Sequence, residues 1–140
     1  MANIKTILLV DDDQDDQLLF KEALSEADNS VFYQSACNGI DALEKLNSGA
    51  VVLPQLIFLD VNMPKMNGID CLKELKKIDY LKDIPVLMYS TSSFSEFKKE
   101  CFNNGAVDYI VKPDDYGQLC KKLKEILNSD LNLITQNLPL

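Results

Sequence analysis

Histidine is absent from the 140 residues of the chain, and its absence excludes several kinds of chemistry. A chain without imidazole has no Ser-His-Asp or Cys-His catalytic group, no histidine-ligated metal and no phosphohistidine of its own. Paired cysteines are absent too, because the four cysteines are widely spaced and form no CxxC motif: they are Cys37, Cys71, Cys101 and Cys120. We expect reduced thiols in the core in place of disulfides or a zinc site.

Basic residues and long apolar runs are also scarce. The chain has 14 lysine and arginine residues against 22 acidic ones, and the net charge of −8 argues against a nucleic-acid-binding surface. No apolar run approaches the roughly 18 residues of a membrane helix, and the N-terminus has no small-residue cleavage site. We therefore predict a cytoplasmic, single-domain protein that binds neither nucleic acid nor membrane.

Short apolar runs alternate with helical patterns five times along the chain. The runs are Ile7–Val10, Val31–Gln34, Leu56–Leu59, Val86–Tyr89 and Val107–Val111. They are mostly aliphatic or β-branched, as in strands buried on both faces of a parallel sheet, and no hairpin turn joins neighbouring runs. This pattern predicts a doubly wound α/β domain. We expect a five-stranded parallel sheet in the order 2-1-3-4-5 with five helices on both faces, which is a flavodoxin-like fold.

Capping residues and apolar stripes locate the helices. Asn67 is expected to cap the third helix, Ser93 with Glu96 to form a capping box before the fourth, and Asp114 or Asp115 to start the fifth. The buried stripe of the first helix is expected at Leu19, Ala23, Leu24 and Ala27. In the fourth helix, Phe94 and Phe97 are expected in the core, and Phe102 is the better candidate for an exposed position.

Acidic residues follow two of the predicted strands. Asp11, Asp12 and Asp13 come directly after the first strand, and Asp60 follows the third. In the predicted strand order these two strands are neighbours at the topological switch point, so their acids should converge. A bound cation would relieve the repulsion, and an all-oxygen ligand set favours Mg²⁺ or Mn²⁺. Alternatively, the first three acids belong to a solvated helix N-terminus, and we assign that role to Asp13.

A hydroxyl and an ammonium group follow the remaining strands. The fourth strand leads into Ser90 and Thr91, and the fifth leads into Lys112 and Pro113. Such groups beside a metal-bound carboxylate can hold the oxygens of a phosphoryl group. Since a carboxylate can attack phosphorus to give an acyl phosphate, Asp60 is predicted to be a phosphoryl acceptor.

Two other interpretations use the same acidic residues. The spacing of an EF-hand calcium loop is met by Asp11, Asp13, Asp15 and Glu22. However, Asp16 stands where that loop requires glycine, and a strand precedes it in place of a helix. A haloacid-dehalogenase-like phosphatase would use Asp11 and Asp13 after an apolar strand, but Gln14 does not fit its motif and Asp60 would have no role.

Four segments together resemble the receiver domain of two-component response regulators. They are ILLVDDD, LIFLDVNMPKMNG, VLMYSTS and DYIVKP, in that order, and the resemblance covers residues 4–128. DYLKDIPV and STSS are similar to stand-alone receivers paired with phytochrome-type kinases, and chemotaxis regulators are similar stand-alone receivers. We therefore assign residues 1–128 to a receiver domain and residues 129–140 to a C-terminal tail.

The resemblance implies a role for each candidate site residue. Asp60 would be phosphorylated, Asp12 would bind Mg²⁺ directly, Asp11 would bind it mainly through water, and the backbone carbonyl of Asn62 would complete the ligands. Lys112 would contact the phosphoryl group, and its bond to Pro113 is commonly cis in the family. Ser90 would be the switch hydroxyl and Tyr109 the aromatic that turns inward with it. Asn62 and Ser92 would tune the rate of dephosphorylation.

The expected function is that of a signalling protein whose only catalysis is its own phosphorylation and slow dephosphorylation. The phosphoryl donor would be a sensor histidine kinase or a histidine phosphotransfer protein. We expect no attached output domain, so the output would be a partner protein bound around helix 4, strand 5 and helix 5, or a relay. The apolar tail could pack on the domain, contact a second protomer or fray; its large aliphatic residues are Leu131, Leu133, Ile134, Leu138 and Leu140.

Overall fold

The computed structural model describes residues 4–129, which form a parallel sheet flanked by helices. The strands are β1 Thr6–Val10, β2 Phe32–Ala36, β3 Leu56–Leu59, β4 Val86–Ser90 and β5 Asp108–Val111. The helices are α1 Gln14–Ala27, α2 Gly39–Ser48, α3 Gly68–Lys77, α4 Ser95–Asn103 and α5 Tyr116–Leu127. All strand pairs are parallel and the order is β2-β1-β3-β4-β5, which confirms the predicted fold.

The three central strands are buried on both faces, as their continuous apolar sequences predict. Along β1, Leu8 and Val10 enter the core beneath α2, α3 and α4, whereas Ile7 and Leu9 enter the core beneath α1 and α5. Successive side chains of a strand point to opposite faces, so this alternation buries both faces of the sheet. The two cores fix the sheet between two layers of helices and leave its carboxyl edge accessible.

Side-chain caps begin four of the helices, and three of the capping residues were predicted: Asp13, Asn67 and Asp115. Asn67 Oδ1 accepts a hydrogen bond from the Asp70 N–H at 2.9 Å, and Asp115 Oδ1 accepts one from the Gly117 N–H at 2.9 Å. The predicted Ser93–Glu96 capping box is wrong, because α4 begins at Ser95 and its N-cap residue, Phe94, makes no side-chain cap hydrogen bond. The preceding loop is held differently: the Tyr109 hydroxyl donates to the Ser92 carbonyl at 2.7 Å.

The predicted buried faces of two helices need correction. Leu19 is 48% exposed, and Phe20 is fully buried in its place because it packs edge-on against Phe58 with ring centroids 4.9 Å apart. Phe94 is 66% exposed, since it precedes α4 and does not lie on its inner face. Phe97 and Phe102 are both half-buried against the core.

The cysteines only partly match the expectation of core thiols. All four are free, which confirms the absence of disulfides among the described residues. Cys71 and Cys101 are buried, and burial raises the pKa of their thiols to about 12 and about 11, respectively. Cys37 is exposed in the segment after β2, and Cys120 of α5 is half-buried against the core. The longest helix within residues 4–129 is α1 with 14 residues, so none of the described helices could span a membrane.

Gly68 brings α3 against the loop that follows β3. Its N–H donates to the Val61 carbonyl at 2.8 Å, and a Cβ placed on Gly68 would lie 1.9 Å from the Asp60 carbonyl oxygen. Such a separation is far inside van der Waals contact, and the atom it meets is backbone. Glycine is therefore needed here for close approach and not for an unusual φ.

We predict that Gly68→Ala lowers the free energy of unfolding by at least about 2 kcal/mol, because the backbone on one side must move. Gly117→Ala is the matched control, since a Cβ there meets only the Asp115 carboxylate at 3.5 Å. The control should be neutral or more stable by up to about 1 kcal/mol, as expected when alanine replaces glycine in a helix. Urea unfolding measures both variants, and equal stability of the two would contradict the close-approach argument.

Candidate functional site

The carboxyl ends of β1, β3 and β5 continue their backbone pairing by one residue, which fixes three functional side chains. The Asp11 N–H donates to the Ala36 carbonyl at 3.1 Å, and the Asp60 N–H donates to the Val10 carbonyl at 3.0 Å. The Lys112 N–H donates to the Ser90 carbonyl at 2.8 Å. Parallel strands end at one edge of the sheet, so these residues lie side by side, as predicted.

Three carboxylates converge at this edge. Asp11, Asp12 and Asp60 can each offer an oxygen within 4.8 Å of the other two. Asp11 and Asp60 are buried, whereas Asp12 is exposed at the rim. Asp13 is not part of the group: its Oδ1 caps α1 by accepting from the Asp16 N–H at 3.1 Å. The helix-start role predicted for Asp13 is confirmed.

Lys112 provides the positive charge among these acids. Its Nζ lies 2.7 Å from Asp11 Oδ2, 2.9 Å from Asp16 Oδ2 and 3.4 Å from Asp60 Oδ2. It also lies 5.2 Å from the centroid of the Tyr89 ring. Asp16 and Tyr89 were not predicted to lie at this site. The only signal for Asp16 was its place in the first turn of α1, where acids are favoured for other reasons.

The pKa values of these groups are shifted by burial and by one another. Burial raises the pKa of Asp11 and of Asp60, and Lys112 opposes both shifts. Burial alone would lower the pKa of Lys112, but its hydrogen bonds to Asp11 and Asp16 and the charge of Asp60 outweigh it and raise that pKa. One ammonium thus faces several carboxylates, and the negative charge of the site is incompletely compensated.

This carboxylate group fits a hard divalent cation. All its donors are oxygens, two of them are largely withdrawn from solvent, and the third opens to the rim. Such a donor set suits Mg²⁺ or Mn²⁺ and not a thiolate- or imidazole-binding metal. The Asn62 N–H donates to Asp60 Oδ1 at 3.3 Å, so the residue lies beside the group. A ligand role for its carbonyl stays a prediction.

A second chain of contacts leads from Asp60 towards β5. Ser90 is fully buried, and its hydroxyl is among the hydrogen-bonding groups that oppose the rise in the Asp60 pKa caused by burial. Ser90 Oγ accepts from the Ser92 N–H at 3.3 Å, and the buried Tyr109 donates to the Ser92 carbonyl. Tyr109 therefore lies inward in this structure.

One feature that the family resemblance implied, a cis peptide bond before Pro113, is not found in the structure. The bond between Lys112 and Pro113 was expected to be cis, but every described peptide bond is trans. The trans form is the lower-energy isomer of an X-Pro bond by roughly 0.5–1 kcal/mol, and it still delivers Lys112 to the site.

The structure also decides against the two rival interpretations. The EF-hand interpretation is wrong because α1 begins at Gln14, so Asp15 and Glu22 lie on a helix and not in a calcium-binding loop. The phosphatase reading is wrong because Asp13 is committed to a helix cap while Asp60 lies in the carboxylate group.

A family model for the response regulator receiver domain matches residues 7–124. The chain belongs to this family. The receiver is 31% identical to the chemotaxis protein CheY of Thermotoga maritima over 87% of this chain and 97% of that protein. It is 35% identical to a protein-glutamate methylesterase/protein-glutamine glutaminase of Clostridium acetobutylicum over 98% of this chain, but it spans only 39% of that longer relative.

Solved structures of other receivers agree with this assignment. The phosphorylated cyanobacterial phytochrome response regulator RcpA matches with a TM-score of 0.80 and 31% identity, over 88% of this chain and 91% of that one. The Mn²⁺-bound response regulator Rcp1 matches with a TM-score of 0.74 and 29% identity, over 87% and 91%. The predicted likeness to phytochrome-associated receivers is confirmed, and membership implies a phosphodonor of the histidine kinase or phosphotransfer class.

We predict that Mg²⁺ raises the melting temperature of the wild-type protein and that Asp12→Asn weakens this effect. An ion that binds only the folded state stabilises it by about 2.7 kcal/mol at 100 times its dissociation constant. Asp15→Asn is the matched control, because Asp15 is exposed on α1 and lies outside the carboxylate group. Thermal melts at a series of Mg²⁺ concentrations measure the effect, and an equal loss in both variants would argue for unspecific charge screening.

We also predict that Asp60→Asn stabilises the protein at pH 7 in the presence of EDTA. Burial raises the folded-state pKa of Asp60, so its ionised form costs free energy at any pH above that raised value. The advantage of the variant should shrink as the pH falls towards 3.8, because wild-type Asp60 then takes up a proton. Urea unfolding from pH 7 to pH 4 measures it. Asp79→Asn is the control, since the Asp79 side chain is 98% exposed, and a similar trend there would contradict the assignment.

Proposed function

We propose that this receiver accepts a phosphoryl group on Asp60 from a sensor histidine kinase or a histidine phosphotransfer protein, and that Mg²⁺ or Mn²⁺ assists. One observation carries the proposal: the buried Asp60 carboxylate lies both in the acidic group with Asp11 and Asp12 and 3.4 Å from Lys112 Nζ. This arrangement supports roles for Asp60 as the nucleophile, for the acidic group as the metal position and for Lys112 as the cation that meets the phosphoryl group. The phosphorylated RcpA and Mn²⁺-bound Rcp1 structures support the same chemistry.

In the proposed reaction, an Asp60 carboxylate oxygen attacks the phosphorus of an N-phosphorylated histidine. A P–O bond forms and the N–P bond breaks, while the electron pair leaves with the imidazole, which takes a proton from water. The metal ion, when bound, neutralises charge on the phosphoryl oxygens. Lys112 and Ser90 would donate hydrogen bonds to those oxygens. Their positions support this role: Lys112, which follows β5, has its Nζ 3.4 Å from Asp60 Oδ2, and the hydroxyl of Ser90 at the end of β4 opposes the rise in the Asp60 pKa caused by burial.

The metal ligands are proposed from the same geometry. Asp12 at the open rim would bind the ion directly, and Asp11 would bind it mainly through water because its Oδ2 is already paired with Lys112. Asp60 and the backbone carbonyl of Asn62 would complete the set. Asn62 lies beside Asp60 and Ser92 beside Ser90, which supports a role for both residues in controlling access of water to the acyl phosphate and so the rate of dephosphorylation.

The switch would run through Ser90, Ser92 and Tyr109. A phosphoryl group on Asp60 would draw the Ser90 hydroxyl towards it, and the inward position of Tyr109 would become more favourable. The hydrogen bond from Tyr109 to the Ser92 carbonyl supports this coupling, because it ties β5 to the loop before α4. The shift would bias the surface of α4, β5 and α5 between two pre-existing states.

The output of this switch would be a downstream protein partner in the cytoplasm, or passage of the phosphoryl group to another histidine protein. We propose no catalytic activity beyond its own phosphorylation and slow dephosphorylation, and no nucleic-acid or membrane partner. The predicted tail contact or homodimer involves residues 129–140, nearly all of which lie outside the described residues.

Incubation with acetyl phosphate and Mg²⁺ should give one base-labile phosphate on the wild-type protein and none on Asp60→Asn, because the attacking oxygen is lost. Intact-mass measurement before and after mild alkali detects it. EDTA should suppress the reaction.

Asp79→Asn, which alters an exposed carboxylate remote from the acidic group, should be phosphorylated as wild type is. An unchanged adduct on Asp60→Asn, or no adduct on the wild-type protein, would overturn the proposed function.

A further inference from the structure

Lys112 has a carboxylate partner outside the metal-binding group. Of its three acidic partners, Asp11 and Asp60 belong to the acidic group, whereas Asp16 lies on the first turn of α1. The contact of Lys112 Nζ with Asp16 is 2.9 Å, shorter than the 3.4 Å contact with Asp60. The Lys112 ammonium therefore lies closer to Asp16, which is outside the acidic group, than to Asp60, the proposed phosphoryl acceptor.

The first turn of α1 is fixed to the end of β1, so Asp16 has a defined place. Its own N–H donates to Asp13 Oδ1 at 3.1 Å, and the neighbouring Gln17 side chain donates to the Asp11 carbonyl oxygen at 2.5 Å. The Asp16 carboxylate is only 35% exposed. A carboxylate on an anchored helical turn can hold an ammonium at a set position, which a flexible surface acid cannot do.

The aromatic core closes the other side of Lys112. Its Nζ lies 5.2 Å from the centroid of the Tyr89 ring, and Phe20 and Phe58 pack against that ring with centroids 5.5 Å and 6.5 Å away. The ring face attracts the cation, and the rings of Phe20 and Phe58 that pack against Tyr89 hold that face in place. The position of the ammonium group therefore depends on the relative strength of its hydrogen bonds to the three carboxylates.

We propose that Asp16 is a positioning residue that keeps the Lys112 ammonium from pairing more closely with Asp60 than the observed 3.4 Å, and so keeps the Asp60 carboxylate available to the metal ion. Without Asp16, the ammonium would be shared between Asp11 and Asp60 alone and would compete with the ion for their oxygens. Charge-assisted hydrogen bonds of this kind are strong enough to decide such a competition. The inference rests on the proposed phospho-acceptor function and extends it to a residue outside the acidic group.

The test is the Mg²⁺ dissociation constant of the full chain, measured by isothermal titration calorimetry. Asp16→Asn should weaken Mg²⁺ binding about fivefold, in the range of coupling between contacting charged residues. Asp15→Asn removes the same charge from the adjacent position, which is exposed, and should weaken it less than about twofold through screened long-range charge alone. Asp16→Glu, which restores the carboxylate, should recover most of the affinity.

A Lys112→Met background separates positioning from simple charge. There, Asp16→Asn should weaken Mg²⁺ binding no more than Asp15→Asn does, because no ammonium remains to be placed. Equal effects of the two asparagine variants with Lys112 present would overturn the inference. An undiminished Asp16→Asn effect with Lys112 absent would overturn it as well.

The outcomes for the two proposals can be told apart. If the wild-type protein binds Mg²⁺ but acetyl phosphate does not modify Asp60, the acceptor role fails while the positioning role is still decided by the titrations. If phosphorylation proceeds and Asp16→Asn matches Asp15→Asn, only the positioning role fails. If the wild-type protein does not bind Mg²⁺, the positioning role is overturned, and the acceptor role is decided separately by phosphorylation from acetyl phosphate with Mn²⁺ in place of Mg²⁺.

Discussion

The ion pairs of Lys112 are the interaction on which the site depends. Burying Asp11 and Asp60 side by side is costly, and an ammonium within 2.7 Å and 3.4 Å of them offsets part of that cost. The charge compensation is incomplete, because one ammonium group is shared among several carboxylates. The remaining negative charge makes the edge of the sheet attractive to a divalent cation, and in the proposed function the same ammonium would contact the phosphoryl oxygens.

Sequence was a good guide wherever a residue's place follows from the strand it terminates. Asp11, Asp60, Ser90 and Lys112 each end or follow a short apolar run, and parallel strands bring such ends to one edge. The strand order, the caps at Asn67 and Asp115 and the helix-start role of Asp13 followed from equally local rules. At these positions local chemistry and chain topology favour the same arrangement, so the sequence pattern was sufficient to predict where the residues lie.

Prediction from the sequence failed where a residue's role depends on which parts of the chain pack together in the folded protein. Asp16 looked like any acid in a first helical turn, and only the folded chain brings Lys112, which follows β5, within 2.9 Å of it. Ser93 and Glu96 have the spacing of a capping box, but the loop held by Tyr109 delays the start of α4. Phe20 and Leu19 are neighbours, and the aromatic ring of Phe58 decides which one is buried.

The separation of the site residues along the chain has a consequence for folding. Lys112 and Asp11 are 101 positions apart, and Lys112 and Asp60 are 52 apart. In a partly folded chain that has paired β1 with β3 but not yet docked β5, the acids would face one another without their cation. Contacts of such long sequence separation form slowly. Docking of the last strand would therefore remove an electrostatic penalty that early pairing creates, which ties completion of the sheet to completion of the site.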